Sequence, residues 1–297
     1  MTETIRVFVA ATPSEWLALR VLEFSIREST KQPLQVSALY TFDRPIRKPQ
    51  AKKNWPRTPF SFQRFLIPEL VGYEGKAIYL DADMLVFRDI AELWNQPFNN
   101  CDLQAIKETR NGLRSQFSVM LLDCARLHWN IDEIISLLDS GELEYVRLMG
   151  EMCIVEQIGW DIPPDWNSLE QYESDATALL HYTNMPTQPW ISLANPLGPI
   201  WVGFLRRALE AGFISQKELK GEVAAGHVRP SLQVEVERGR EQMVDLPVSL
   251  REVDRGFVPP YKQLHLGPTG IWTSIRRLVG GLLRRIYSPS MFSKMFH

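Results

Sequence analysis

Five short, almost wholly apolar runs, each bounded by polar or turn-forming residues, limit what this chain can fold into. They occupy residues 5–11, 34–40, 77–80, 103–106 and 118–122. Runs of strand length without apolar–polar alternation are what a sheet buried on both faces requires. Between them, apolar residues recur at helical spacing. Trp16, Leu19, Leu22, Phe24 and Ile26 form one set, Phe62, Phe65, Ile67 and Leu70 a second, and Leu127, Ile131, Ile134, Ile135 and Leu138 a third. Strands alternating with helices predict βαβ units, a mostly parallel sheet and an α/β fold. Ligands of such sheets bind at the carboxyl ends of the strands. At 297 residues, with 45% hydrophobic and 23% charged, the chain has the length of two average domains or of one larger α/β domain with an extension.

The run at 77–80 delivers two carboxylates at its carboxyl end: Ala77-Ile78-Tyr79-Leu80-Asp81-Ala82-Asp83. Residues two apart on an extended chain point to the same side, so Asp81 and Asp83 can face one point. Paired hard oxygen ligands there suit Mg²⁺ or Mn²⁺, which bridge a protein to a diphosphate. A second strand end, Ala178-Leu179-Leu180-His181, offers an imidazole that Mn²⁺ tolerates beside carboxylates. The loop after it, residues 184–190, is polar and proline-stiffened and ends at Trp190. It reads as a site for phosphate contacts with a sugar-stacking face. Asp89 and Glu92 have the spacing of a capping box.

Charge and cysteine content exclude further classes. With 33 basic and 35 acidic residues the net charge of −2 argues against a general nucleic-acid binder. Cys101, Cys124 and Cys153 give neither a disulfide framework nor a zinc spacing, which favours a reducing, cytoplasmic setting. No apolar stretch reaches membrane-spanning length, and the N-terminus opens as a strand. Residues 44–57 hold six basic residues (Arg44, Arg47, Lys48, Lys52, Lys53, Arg57) and no acid. Two readings stand open there: a solvated loop, or one that guides a phosphate-bearing ligand. Residues 268–297 carry five basic residues and no acid, so the remainder carries −7. Their apolar residues recur at three- and four-residue steps between paired arginines, and two readings stand open: an in-plane amphipathic helix on an anionic membrane surface, or a helix packed on the main domain with its arginines solvated.

Several of these segments together resemble the family 8 retaining glycosyltransferases, the group of glycogenin and lipopolysaccharide galactosyltransferases. The strand ending Tyr79-Leu80-Asp81-Ala82-Asp83, followed by Asp89-Ile90-Ala91-Glu92-Leu93, resembles the family signature. The run from Phe60 to Pro68 resembles the helix before it, and Gln116 to Asp123 the family's Asn-Ala-Gly-Val-Met-Leu-Leu-Asn element. Pro163-Pro164-Asp165-Trp166-Asn167 and His181-Tyr182-Thr183 through Pro189-Trp190 resemble two later motifs. The likeness, closest to a bacterial branch, covers residues 5 to about 215.

The resemblance implies a GT-A fold over residues 1–215, a nucleotide-binding mixed sheet flanked by helices. Residues 216–267 are then an extension packing on it or linking from it, and 268–297 the basic tail. It implies a hexosyltransferase that takes a nucleotide sugar, UDP-linked, and passes the sugar to a glycan or glycolipid acceptor, working at the inner face of the membrane. Asp81, Asp83 and His181 would be the Mn²⁺ ligands. Ala10, Ala11, Thr12, Arg64, Asp81, Ala82, Asp83, Ser118 and Gln188 would hold the donor, with Arg64 and Glu151 as catalytic groups. The sequence departs from the family pattern at Met152, where Glu151-Met152-Cys153 replaces Asp-Gln-Asp, at Gln188 in place of lysine, and at Gln116 in place of asparagine. Methionine offers no nucleophilic carboxylate, so same-face attack of the acceptor becomes the expected route to retention. Two other readings compete. One is a haloacid-dehalogenase-type phosphohydrolase, which needs Thr or Val where Leu85 stands. The other is a non-catalytic nucleotide-sugar-binding or scaffold protein.

Overall fold

The computed structural model describes residues 3–107, 117–238 and 247–264. Gln116 and the 268–297 tail lie outside the described residues. Nine strands are described: β1 (Ile5–Ala10), β2 (Leu34–Ala38), β3 (Lys76–Asp81), β4 (Met84–Val86), β5 (Leu103–Ala105), β6 (Val119–Asp123), β7 (Ile158–Gly159), β8 (Ser168–Leu169) and β9 (Leu179–His181). The helices are α1 (Trp16–Ser29), α2 (Ile67–Leu70), α3 (Ile90–Trp94), α4 (Ile131–Ser140), α5 (Tyr145–Glu151), α6 (Gly198–Glu210), α7 (Gln216–Ala224), α8 (Ser231–Arg238), α9 (Pro247–Val253) and α10 (Pro260–Leu264).

Six strands form the main sheet in the order β2-β1-β3-β6-β5-β7, and β4-β9-β8 form a smaller one. The main sheet is mixed. β1 runs parallel to β2 and β3, β6 runs antiparallel to β3 and β5, and β7 is parallel to β5. Alternate residues of its central strands enter opposite cores, which explains their unbroken apolar character. Phe8, Ala77, Tyr79, Met120 and Leu122 pack with Phe65, Trp129 and the buried side of α4. Val7, Val9, Ile78, Leu80 and Leu121 pack with Leu19, Leu22 and Ile26 of α1 and with α3. A third core joins the opposite side of α1 to α6, and Leu219, Val228, Leu232 and Val236 of the extension enter it.

Three local expectations change. The second apolar set forms a 3₁₀ turn, Gln63–Leu66, and then the single turn of α2, with Pro68 in its opening position. Leu127 precedes α4, which starts at Ile131 because the Asn130 side chain accepts from the Asp132 and Glu133 amides. Asp89 caps α3 by accepting from the Ala91 amide, but the reciprocal half of the box is not made. The Glu92 carboxylate instead pairs with Arg88 at 3.0 Å. The basic loop lies against acidic groups of the body: Arg44 pairs with Glu69 and Asp132, and Arg47 with Asp139.

Candidate active site

Backbone register brings the predicted ligands together. β3 ends with Asp81 opposite Ala10 of β1, and the Ala82 amide donates to the Ala10 carbonyl at 3.2 Å. The chain then leaves the main sheet and enters β4, whose Met84 pairs with His181 of β9. The Tyr182 amide donates to the Asp83 carbonyl at 2.8 Å, which sets Asp83 beside His181 across the strand pair. Asp81, Asp83 and His181 each present a ligand atom, and these atoms lie within 4.8 Å of one another.

Each of the three is held by groups that fix its orientation. Tyr79, two residues before Asp81 on the same side of β3, donates its hydroxyl to Asp81 Oδ1 at 2.5 Å. The Arg64 guanidinium lies 4.5 Å from the Tyr79 ring centroid and 3.9 Å from Asp81 Oδ1, and donates to the Phe117 carbonyl at 2.7 Å. Burial raises the Asp81 carboxyl above the usual carboxylate range; Arg64 works against this and Asp83 adds to it. His181 Nδ1 is 2.9 Å from Asn167 Oδ1. An amide oxygen accepts, so Nδ1 carries a proton, and Nε2 faces Asp83 Oδ1, 3.1 Å away. Burial opposes protonation of His181, but Asp83, Asp81 and Glu170 outweigh it and raise its pKa. Gln188 Nε2 donates to Asp83 Oδ2 at 2.9 Å and to the Tyr182 carbonyl at 3.0 Å.

This arrangement fits a divalent cation. Asp83 Oδ1 is buried and accepts no well-aligned hydrogen bond, although its partner oxygen is held by Gln188. Two crowded carboxylates and an imidazole nitrogen form a donor set of the kind Mn²⁺ or Mg²⁺ accepts, and a cation there would offset the burial and the Asp83 charge that raise Asp81.

A pocket adjoins the cluster and is lined by Thr12, Glu15, Arg57, Gln188, Trp190 and Tyr261, among others. Thr12 and Gln188, both expected to hold the donor, reach it. Ala11 exchanges two hydrogen bonds with the Gln63 side chain, at 3.3 and 3.1 Å, which secures the end of β1. Ser118 is buried just before β6, next to the Phe117 carbonyl that Arg64 holds. Of the basic loop, Arg57 comes to the pocket wall.

Glu151 stands apart from this group. It ends α5 on an exposed surface and pairs with Arg147 at 3.2 Å, and none of the hydrogen bonds or ion pairs described for Asp81, Asp83 and His181 involves it. Met152 is fully buried in the core with left-handed backbone (φ 50°) and closes α5. The stacking face expected of Trp190 is a correction: at 2% exposure its ring packs against Trp201 and Tyr182. The reading by residues passed over Asn167, Gln63 and Glu15. Asn167 closes the Pro163-to-Asn167 segment, whose motif was visible although its role was not.

Comparison with known proteins bears on the fold and on part of the sequence. Residues 16–136 match the model of the family described as Glycosyl transferase family 8, which includes Asp81 and Asp83 but ends before His181. Protein CDI of Arabidopsis thaliana is 36% identical over 92 residues, 30% of this chain and 35% of that protein. Glycosyltransferase 8 domain-containing protein 1 of Xenopus laevis is 38% identical over 64 residues, 22% of this chain and 18% of that protein. The matched stretch thus spans about a third or less of these curated relatives. Among solved structures, the galactosyltransferase LgtC in complex with donor and acceptor sugar analogs superposes with a TM-score of 0.54 at 14% identity, covering 74% of this chain and 100% of that one. The bifunctional glycosyltransferase WbbM superposes at 0.53 with 12% identity, covering 69% of this chain and 50% of that one. At such identities the structures speak for the fold. The chain therefore has the GT-A fold of glycosyltransferases, and its residues 16–136 are similar to the Glycosyl transferase family 8 model.

Proposed function

We propose that this chain is a metal-dependent retaining glycosyltransferase that moves a hexose from a UDP-linked sugar to a lipid- or envelope-linked glycan. The observation that carries the reading is the convergence of Asp81, Asp83 and His181 at the ends of β3 and β9, beside a pocket that Thr12 and Gln188 line. A cation held by those three side chains would neutralise the charge that builds on the departing diphosphate. The chain's own groups prepare the site. Tyr79 and Arg64 hold Asp81, Asn167 fixes the His181 tautomer, and Gln188 occupies Asp83 Oδ2 so that Oδ1 faces the cluster. Arg64, buried and cationic next to Asp81, adds fixed positive charge where an anionic donor would lie. Met152 is apolar and buried and Glu151 is engaged by Arg147, which favours same-face attack of the acceptor over a covalent route through either residue.

Turnover of a panel of UDP- and GDP-sugars with Mn²⁺ tests the reading. At least one donor should be consumed, with turnover lost on chelation. A donor that binds without turnover supports the non-catalytic alternative, and a panel that neither reacts nor shifts the melting temperature overturns the donor assignment.

The lipid-linked acceptor rests on the basic, aromatic composition of residues 268–297. Full-length protein should sediment with anionic liposomes more strongly than a 1–267 truncation, and equal sedimentation would remove the membrane claim. Among the described residues no helix is long and apolar enough to cross a membrane. The three free cysteines support a cytoplasmic setting.

A further inference from the structure

Arg229 lies in the extension, far beyond the segment that matches the family, and is 1% exposed. Its Nε donates to the Pro189 carbonyl at 2.8 Å, and its backbone amide donates to the Trp190 carbonyl at 2.8 Å. The far side of the guanidinium is anchored in the extension. Nη1 donates to the Ser231 hydroxyl at 2.6 Å and Nη2 to the Glu235 carboxylate of α8. Ser231 in turn donates its hydroxyl and its amide to Asp254, which follows α9, at 2.6 and 2.8 Å. The buried guanidinium therefore ties the Pro189 carbonyl to α8 and, through Ser231, to Asp254 after α9, while the backbone amide of the same residue holds the Trp190 carbonyl.

Packing alone does not call for such an arrangement. A buried ion pair adds little net stability over apolar residues of similar size, because both ions lose their water. Apolar neighbours were at hand, since Val228 and Leu232 on either side enter the third core. What the ion pair supplies is direction, because a planar guanidinium grips a carbonyl and a carboxylate at fixed angles. The residue before the gripped carbonyls is Gln188, whose amide holds Asp83 Oδ2.

We propose that Arg229 is a positioning residue: it fixes the Pro189–Trp190 backbone so that Gln188 holds Asp83 in its ligating orientation. The extension is thereby a working part of the active site. His227, Pro260 and Tyr261 of the same extension line the adjoining pocket, in keeping with that role. The inference rests on the reading of Asp83 as a metal ligand.

The test uses full-length protein and two ways of releasing the grip. Arg229→Lys keeps the charge but not the forked reach. Arg229→Met combined with Glu235→Leu removes the pair together and guards against an uncompensated buried carboxylate. Mn²⁺ affinity is read from the electron paramagnetic resonance of free Mn²⁺, and loop order from amide deuterium exchange without metal. Both variants should bind Mn²⁺ roughly three- to tenfold more weakly, below the full effect of losing a direct support of a ligand. Exchange should rise in 185–191 and stay unchanged in β3. In a Gln188→Leu background, Arg229→Lys should leave Mn²⁺ affinity where Gln188→Leu alone put it, an interdependence that a general packing role would not produce. Unchanged affinity in both Arg229 variants, or an undiminished loss in the Gln188→Leu background, overturns the proposal. Wild-type protein that binds no Mn²⁺ overturns the metal reading itself, and does so before any variant is compared.

Discussion

Replacing Asp83 by asparagine is expected to lower kcat/KM about 10³-fold, yet to leave the metal-free protein about as stable as the parent. The two effects have one origin. Asp81 and Asp83 hold negative charge close together in a half-buried site, and burial together with Asp83 keeps the Asp81 carboxyl raised despite Arg64. The amide preserves shape and can still accept from Gln188 through one oxygen. It removes one charge from the crowded pair, so Asp81 ionises more easily, and the lost attraction of His181 for Asp83 offsets that relief. The cost falls on cation binding. Mn²⁺ at a hundred times its dissociation constant stabilises a protein by about 2.7 kcal/mol. Wild-type protein should therefore melt higher with Mn²⁺, and Asp83→Asn should lose that shift while melting close to the parent without metal. Retention of wild-type turnover or of the Mn²⁺ shift would remove Asp83 from the ligand set. A clear loss of metal-free stability would show that Asp83 holds the fold together.

That pairing of Asp81 with Asp83 was legible because β3 is buried on both faces. Ala77, Ile78, Tyr79 and Leu80 are all fully buried, and a strand of that kind announces its end by the first polar residue. β4 was not legible. Its three residues, Met84–Val86, continue the apolar stretch after Asp83, and nothing local tells that the chain has passed into a second sheet. Yet this passage decides the site, since pairing of Met84 with His181 turns a histidine nearly a hundred positions away into a neighbour of Asp83. Gln188 was noticed as a departure from a family pattern, but its hydrogen bond spans 105 positions and depends on the path of the 185–191 loop. Trp190 misled for a related reason. A tryptophan after two prolines looks exposed until Tyr182 and Trp201 are seen to cover it. Glu151 was placed by motif spacing, whereas α5 ends there by turning left-handed at Met152 and drives the methionine, not the carboxylate, into the core.

Glu15→Gln is expected to stabilise the protein at pH 8 and to flatten its stability between pH 5 and 8. Glu15 stands in the pocket wall and accepts from the Thr12 amide at 2.8 Å and the Thr12 hydroxyl at 2.9 Å. Burial dominates its ionisation and pushes its pKa from 4.5 up to about 7; the two Thr12 bonds resist, and the charges of Asp83 and Asp81 add to the rise. A carboxyl whose pKa is higher folded than unfolded favours the fold while protonated. Its contribution is full below about pH 4.5 and is lost as pH rises through about 7. At about 1.4 kcal/mol per pKa unit, this shift corresponds to about 3 kcal/mol. Glutamine keeps an oxygen for the Thr12 amide and carries no charge, so urea midpoints of the variant should exceed those of the parent at pH 8 and approach them at pH 5. A variant whose midpoint follows the parent across that range would show that Glu15 is not the group responsible. Cation binding supplies a second check. Because Asp83 and Asp81 help to raise Glu15, a cation held between them lowers its pKa. Mn²⁺ should therefore narrow the pH 8 difference in stability between the parent and Glu15→Gln.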